Sequence, residues 1–551
     1  MRKGRAARRA LAWLGAASAL SCNAVLGISE TSYRGEDGPG GKGGDAAGGT
    51  GATGGSGAAP IACTTHAECL EATGEFDPSA CVGGQCVRLL TPECPLALPQ
   101  TDRGWLENLR RSEPDPVIFG VFTSVPPELF GIESKNYDLV LTEVTREVGG
   151  IPAAGGKRRP VLAVVCRNLY DEPEGFDRAI DHLIDELEVP GVLAALESGD
   201  LEYAFRRKGS ENHVFFMSAF EADRSLVELR ENGLVWHMLP GGEQVAPTYG
   251  PLFDRTVAHL RESGRIAAGD PVRVGLVTTH DVRVMSSLSG ALLDGILKIN
   301  GLPARENPPE TFREVSIPSS VLANEVPDYT EQIQLLRALS PHIILGIATD
   351  EFLTTILPAL ETGTRDFEPF YLLSPWHIQT DLIRPPLVQF PELYTRIAGV
   401  NFAAALDQTV YDDYQARFDA AFPAFAGTRG YENFYDAGYY LIYAAAAAGT
   451  VVPLLGSDLA NGMQRLLSGR LAFDVGPDDL RPAFVELETP GSSIVLNGAM
   501  GPPNFDPQTG AREEPGTVWC VDESQTLHTD VLRLVDGTLE GTFPCFEFGE
   551  P

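Results

Sequence analysis

The sequence predicts an α/β fold of two lobes, each built on a parallel sheet, behind an N-terminal export and tether segment. Three observations predict it. From about residue 115, short and nearly continuous apolar runs alternate with helical patterns, and the alternation restarts near residue 250. Runs with no polar face belong to strands covered on both sides, as in βαβ units. The 551 residues exceed what one hydrophobic core organises, so more than one lobe is required.

The elements follow in order. Val117 to Phe122 reads as a first buried strand, and 136–148 has helical spacing. Val161 to Cys166 is a second strand, and 175–187 a helix with Ile180, Leu183 and Ile184 on one face. Val192 to Ala195 and Val214 to Met217 complete the first series. A helix over 249–263 opens the second, followed by a strand at 272–277 and a helix over 286–300. A helix over 328–340, a strand at 342–347, a helix over 351–361 and a strand at 370–373 close it. The expected boundaries are 115–520 for the two-lobed domain, with lobes near 115–248 and 249–375 and later segments shared, then a tail over 521–551. The segment 470–490 reads equally as an inserted loop or as part of a lobe.

The N-terminus carries Arg2, Lys3, Arg5, Arg8 and Arg9 ahead of a short apolar run from Ala10 to Leu20, the pattern of an export signal over 1–22. Ala19-Leu20-Ser21-Cys22 resembles a bacterial lipobox, with Ala19 where Leu is usual. The resemblance implies lipidation of Cys22 and a membrane anchor. Residues 23–60 are Gly-rich, cannot bury a core and read as a flexible spacer.

Nine cysteines are present, and eight remain once Cys22 is set aside. In an oxidising compartment disulfides are the default. Cys63, Cys69, Cys81, Cys86 and Cys94 cluster with five, eleven, four and seven intervening residues, which suggests a small stapled module over 61–95. No Cys-x-x-Cys pair occurs, and His66 is the one nearby histidine, so zinc is the weaker reading. Five is odd, so one member must pair elsewhere; we expect Cys94 with Cys166, and Cys520 with Cys545 closing the tail.

Net charge is −33. Such a surface repels nucleic acid and anionic lipid. A hydrolase elbow of the form Gly-x-Ser-x-Gly is missing, since Ser287-Leu288-Ser289-Gly290 lacks the first Gly. No phosphate loop, His-Glu-x-x-His or dinucleotide fingerprint occurs either. The chain is therefore read as a non-enzyme with neither cofactor nor metal.

Several segments, in order, resemble the type I periplasmic binding proteins, in particular their branched-chain amino-acid receptor branch. They are Val272 to Asp281, Ser340 to Gly346, the aromatic run Gly430-Tyr431-Glu432-Asn433-Phe434-Tyr435-Asp436-Ala437-Gly438-Tyr439-Tyr440-Leu441, and Asn497 to Gly510. The resemblance implies a small polar solute, such as an amino acid, held between hinged lobes and handed to an ABC-type permease or a membrane sensor. After Asp281, where that branch usually shows an aromatic and a Gly, this chain has Val282 to Ser287 with neither.

Ligands of open α/β sheets bind beyond the carboxyl ends of strands. That rule nominates Ser198, Ser218, Ala219 and Phe220 in lobe one, and Thr279, His280, Asp281, Asp350 and Glu351 in lobe two. The resemblance implies carboxylate capture on the first set and pairing of an ammonium with Asp350 or Glu351; Tyr435 is a further candidate. Each has a plainer alternative. Ser198, Ser218 and Asp350 also read as helix caps, His280 and Asp281 as a solvated turn, and Tyr435 as a core aromatic. The functional alternative is a surface interaction or structural lipoprotein that keeps the fold without small-ligand transport.

Overall fold

A computed structural model describes residues 61–546 apart from 112, 124–126, 168–172, 222–225, 227–228, 230–232, 320–326, 363–366 and 403–407. The export signal, Cys22 and the spacer lie outside the described residues.

Two sheets carry the molecule. The lobe-one sheet runs, edge to edge, Ala511–Arg512, Val235–Pro240, Phe215–Glu221, Gly191–Ala195, Val117–Thr123, Val161–Arg167 and Leu96–Leu98. All neighbours are parallel except Leu96–Leu98, which is antiparallel to its partner. Every residue of Val117–Thr123 is buried, as a strand covered on both faces requires. The lobe-two sheet runs Phe312–Ile317, Val274–Thr279, Ile343–Ile347, Phe370–Leu373 and Ile397–Asn401 in parallel. Thr517–Val521, Leu527–Val535 and Thr538–Gly541 extend it antiparallel.

Part of the tail expected over 521–551 is sheet, in Leu527–Val535 and Thr538–Gly541, and joins lobe two. A nine-residue strand satisfies its backbone only by pairing, and Thr517–Val521 offers the edge. Residues 470–490 belong to lobe one: Leu471–Asp474 pairs with Ile494–Asn497, and helix Pro477–Glu488 packs on helices Glu432–Ala448 and Pro127–Glu147. Helix Glu432–Ala448 is buried at every residue from Glu432 to Ala447, which explains its aromatic and alanine composition. Gly438 lies where a Cβ would come within 3.1 Å of Val140, so a side chain there would push the neighbouring helix away.

The chain passes between lobes after strand Val235–Pro240, between strand Ile397–Asn401 and helix Gln408–Ala421, and between strands Ala511–Arg512 and Thr517–Val521. At the third passage Gly516 is packed so tightly that a Cβ would lie 2.5 Å from Val400 Cγ1 and 2.7 Å from Asn401 O. Thr248 Oγ1 donates to Gly516 O at 2.8 Å, tying this strand to helix Gly242–Glu262.

The cysteine-rich module is held by Cys63–Cys81 and Cys69–Cys86. Its three closely spaced sulfurs at Cys63, Cys69 and Cys86 are therefore committed to disulfides. His66 Nδ1 accepts the Cys81 N–H at 2.8 Å, and burial holds the imidazole below its usual pKa. Cys94 bonds Cys166, pinning the module to lobe one, and Cys520 bonds Cys545.

Candidate functional site

The carboxyl ends of the central strands of both sheets meet across the boundary between lobes. From lobe one, Phe220 projects at the end of Phe215–Glu221. From lobe two, Trp376 follows Phe370–Leu373. Their ring centroids are 6.1 Å apart, and Phe220 also lies edge-on to Phe434 at 5.6 Å. Beside this contact is a cavity of about 40 Å³, walled by Phe220, Trp376, Gln379, Phe402, Glu432 and Met500 among others. That space holds about three waters.

The predicted residues sort into three groups. Phe220 lines the cavity directly. Ser218 and Ala219 sit behind it: Ser218 Oγ accepts the Phe220 N–H at 3.2 Å, and Ala219 O accepts from Asn433 Nδ2 at 2.9 Å. Asp350 and Glu351 support the lobe-two wall. Asp350 Oδ1 accepts the Trp376 indole N–H at 2.5 Å, so its side chain orients the indole instead of capping a helix. Burial, with Glu351 and Asp381 nearby, pushes the Asp350 carboxyl up to about 6. Glu351 is buried and accepts from Thr349 Oγ1. Thr279 is buried too, its hydroxyl 3.1 Å from Thr349 Oγ1 and accepting the Thr349 N–H.

The second group flanks the boundary outside the cavity. Ser198 is buried at the start of helix Ser198–Ala204. Beside it the Glu197 carboxyl is pushed up to about 7, mainly by burial and then by Asp200 and, from lobe two, Asp281. His280 and Asp281 are exposed, and both close the turn after Phe312–Ile317. The His280 Nδ1–H donates to Ile317 O at 2.8 Å, a carbonyl that can only accept, and the Asp281 oxygens accept the Ser319 N–H at 2.9 and 3.0 Å. Two residues on, Arg283 reaches lobe one and pairs with Glu202 at 2.8 Å.

Tyr435 forms the third group and lies away from the cavity, in the interior of lobe one. Its hydroxyl donates to Glu143 Oε2 at 2.9 Å and accepts from Arg417 at 2.8 Å, and its ring packs at a tilt against Tyr414, centroids 4.4 Å apart. It is fully buried in lobe one, because its position on helix Glu432–Ala448 turns it toward helix Pro127–Glu147.

Sequence reasoning missed Trp376, Phe402, Glu432 and Met500. The strand-end rule would have reached Trp376 had the loop after Phe370–Leu373 been included. Met500 is placed by Asp436, whose two oxygens accept the N–H groups of Ala499 at 2.8 Å and Met500 at 2.9 Å. The two motif segments quoted for the resemblance thus join through one buried carboxylate. A Cβ on Gly498 would lie 2.1 Å from Asp436 Oδ2, so this turn needs a glycine.

A larger open groove of about 730 Å³ runs beside the C-terminal hairpin, lined by Thr380, Arg384, Arg429 and His528. Its Arg429 is committed to Asp419 and its His528 to Asp522, and it does not join strand ends of the two lobes. The inter-lobe cavity is the better site.

No protein-family profile and no curated protein matches the sequence. Solved structures match over about three quarters of the chain. A leucine-binding protein from Thermotoga maritima aligns at 14% identity and TM-score 0.51, covering 75% of this chain and 97% of that one. An ABC-transporter solute-binding protein from R. palustris, in complex with benzoate, aligns at 11% and 0.50, covering 75% and 95%. Another from Rhodopseudomonas palustris BisB5, in complex with 3,4-dihydroxybenzoic acid, aligns at 13% and 0.50, covering 79% and 98%. The chain has the two-lobed type I periplasmic binding fold.

Proposed function

We propose that this chain is an extracytoplasmic solute-binding lipoprotein, anchored through Cys22, that captures a small polar molecule between hinged lobes for ABC-type uptake or sensing. The observation that carries the reading is the meeting of strand carboxyl ends from both lobes, at Phe220 and Trp376, around one cavity. Three chain passages between the lobes provide a hinge, and the Arg283–Glu202 pair spans them. A ligand favours closure to the extent that it binds the closed form better. The fold neighbours bind leucine or aromatic acids, which supports capture of a small solute. Four disulfides suit an oxidising compartment outside the cytoplasm.

The test is a thermal-shift screen of the exported chain against amino acids, amines, organic acids and other small metabolites. A ligand at a hundred times its Kd adds about 2.7 kcal/mol of stability, a readable rise in Tm. The second reading is a surface interaction lipoprotein without a small ligand, and the small cavity volume favours it. Silence across the whole screen selects that reading. Replacing Cys22 by Ser should move the protein from the membrane fraction to the soluble one, and unchanged partitioning would rule out the anchor.

A further inference from the structure

The charge inside the cavity is one-sided. Among the described residues that line it, Glu432 is the single ionisable group, and no Lys, Arg or His joins it. Glu432 is 8% exposed at the start of helix Glu432–Ala448, and its Oε2 is buried with no hydrogen-bond partner among the described residues. The nearest cation, Arg429, is held bidentate by Asp419 at 3.1 and 2.9 Å. Behind Trp376 stands a second buried carboxylate, Asp350, with Glu351 next to it.

An ionised carboxylate without a partner is costly to bury. Burial accordingly raises the Glu432 carboxyl to about 7, against the opposing pull of a hydrogen bond from its own backbone N–H; Asp530 and Asp436 add to the rise and Arg429 opposes it. A cation arriving in the cavity would supply a charged partner for Oε2. An anion would meet like charge and no opposing guanidinium. The remaining walls agree, because the faces of Phe220, Trp376 and Phe402 carry the negative part of the aromatic quadrupole and attract cations.

On the reading that the cleft captures a solute, we propose that it selects a small organic cation, an alkyl- or arylalkylammonium. Glu432 is its counter-ion, and Phe220 and Trp376 are its aromatic walls. The cavity of about 40 Å³ is smaller than such a molecule, so a bound cation sits between Phe220 and Trp376 in place of their mutual contact, with the lobes closed on it. The assignment departs from the fold neighbours crystallised with benzoate and 3,4-dihydroxybenzoic acid, which are anions.

The experiment is isothermal titration of the exported chain with two charge-matched sets: isopentylamine, leucine and 4-methylpentanoate, then phenethylamine, phenylalanine and 3-phenylpropionate. Each amine should bind at least about tenfold tighter than its zwitterion and its acid, the range set by one charge-assisted contact. Glu432→Gln keeps the shape and should lose about tenfold or more of the amine affinity while its Tm holds or rises. A tie, or tighter binding of leucine, phenylalanine or either acid, overturns the charge assignment and leaves solute capture standing. So does a Glu432→Gln protein of normal Tm that binds amine as well as before. If all six are silent while the broad screen yields only neutral or anionic ligands, the charge assignment again fails alone. Silence in both overturns capture as well.

Discussion

Glu361 and Arg396 offer a quantitative probe of lobe two. The two side chains are 0% and 3% exposed, and Arg396 donates to Glu361 Oε2 at 2.8 Å. Glu361 Oε1 also accepts the Tyr371 hydroxyl at 2.7 Å, and Arg396 donates to Pro369 O at 2.8 Å. The cluster lies at the amino ends of Phe370–Leu373 and Ile397–Asn401, opposite the strand ends that carry Trp376. Changing Glu361 to Leu strands a buried guanidinium and a buried hydroxyl, which costs about 3–5 kcal/mol. Changing Arg396 to Met strands the carboxylate at a similar cost. The double variant removes both charges together and should recover most of the loss, because an apolar pair of similar volume is near neutral. Urea unfolding followed by tryptophan fluorescence, disulfides intact, reads this directly. With a slope of about 3 kcal/mol per molar, each single variant should lower the midpoint by about 1 M or more. Ligand affinity should stay unchanged in all three. Additive losses in the double variant would refute the pairing, and a coupled loss of affinity would refute the separation of this cluster from the cavity.

The remaining predictions are shorter. Gly498→Ala places a Cβ against Asp436 and should destabilise by about 2 kcal/mol or more while weakening any ligand that touches Met500; normal stability would show that the turn can yield. Removing both Cys94 and Cys166 frees a 72-residue separation and should cost about 4 kcal/mol on the chain-entropy account, read by the same unfolding curves. His377 is fully buried between Thr349 O and Ser374 Oγ, and burial lowers its pKa to about 4. The unfolded chain binds a proton near 6.5, so this stabilisation is complete above that pH and fades as pH falls toward 4. The loss is on the order of 3 kcal/mol. The stability difference between wild type and His377→Gln should therefore vary across that window, and a constant difference would remove His377 as the cause.

Much of the scaffold was legible because each strand and helix states its own burial. Val117–Thr123 and Ile343–Ile347 are apolar throughout because both faces are covered, and that pattern is local to a few residues. Leu527–Val535 was harder to see, since polar residues interrupt it and much of it is only half-buried in a sheet extension. Tyr435 shows the limit on a helix buried all round. Where every face is apolar, periodicity does not say which neighbour a side chain meets, and here Tyr435 meets Glu143 and Arg417.

The amino-acid order alone determined the alternation of strand and helix, the reduplication into two lobes, and four loops at strand ends from which a site could be built. It also determined that the cysteines outnumber what one small module can pair internally. Tertiary structure decided the rest. Phe220 and Trp376 are 156 positions apart in the chain, and Asp436 holds a turn 63 positions away. Such meetings depend on strand order and on where the chain passes between lobes. The same is true of Glu432, an ordinary helix-start acid until two lobes close over it, place it in the wall of an aromatic-lined cavity and leave its Oε2 buried with no hydrogen-bond partner among the described residues.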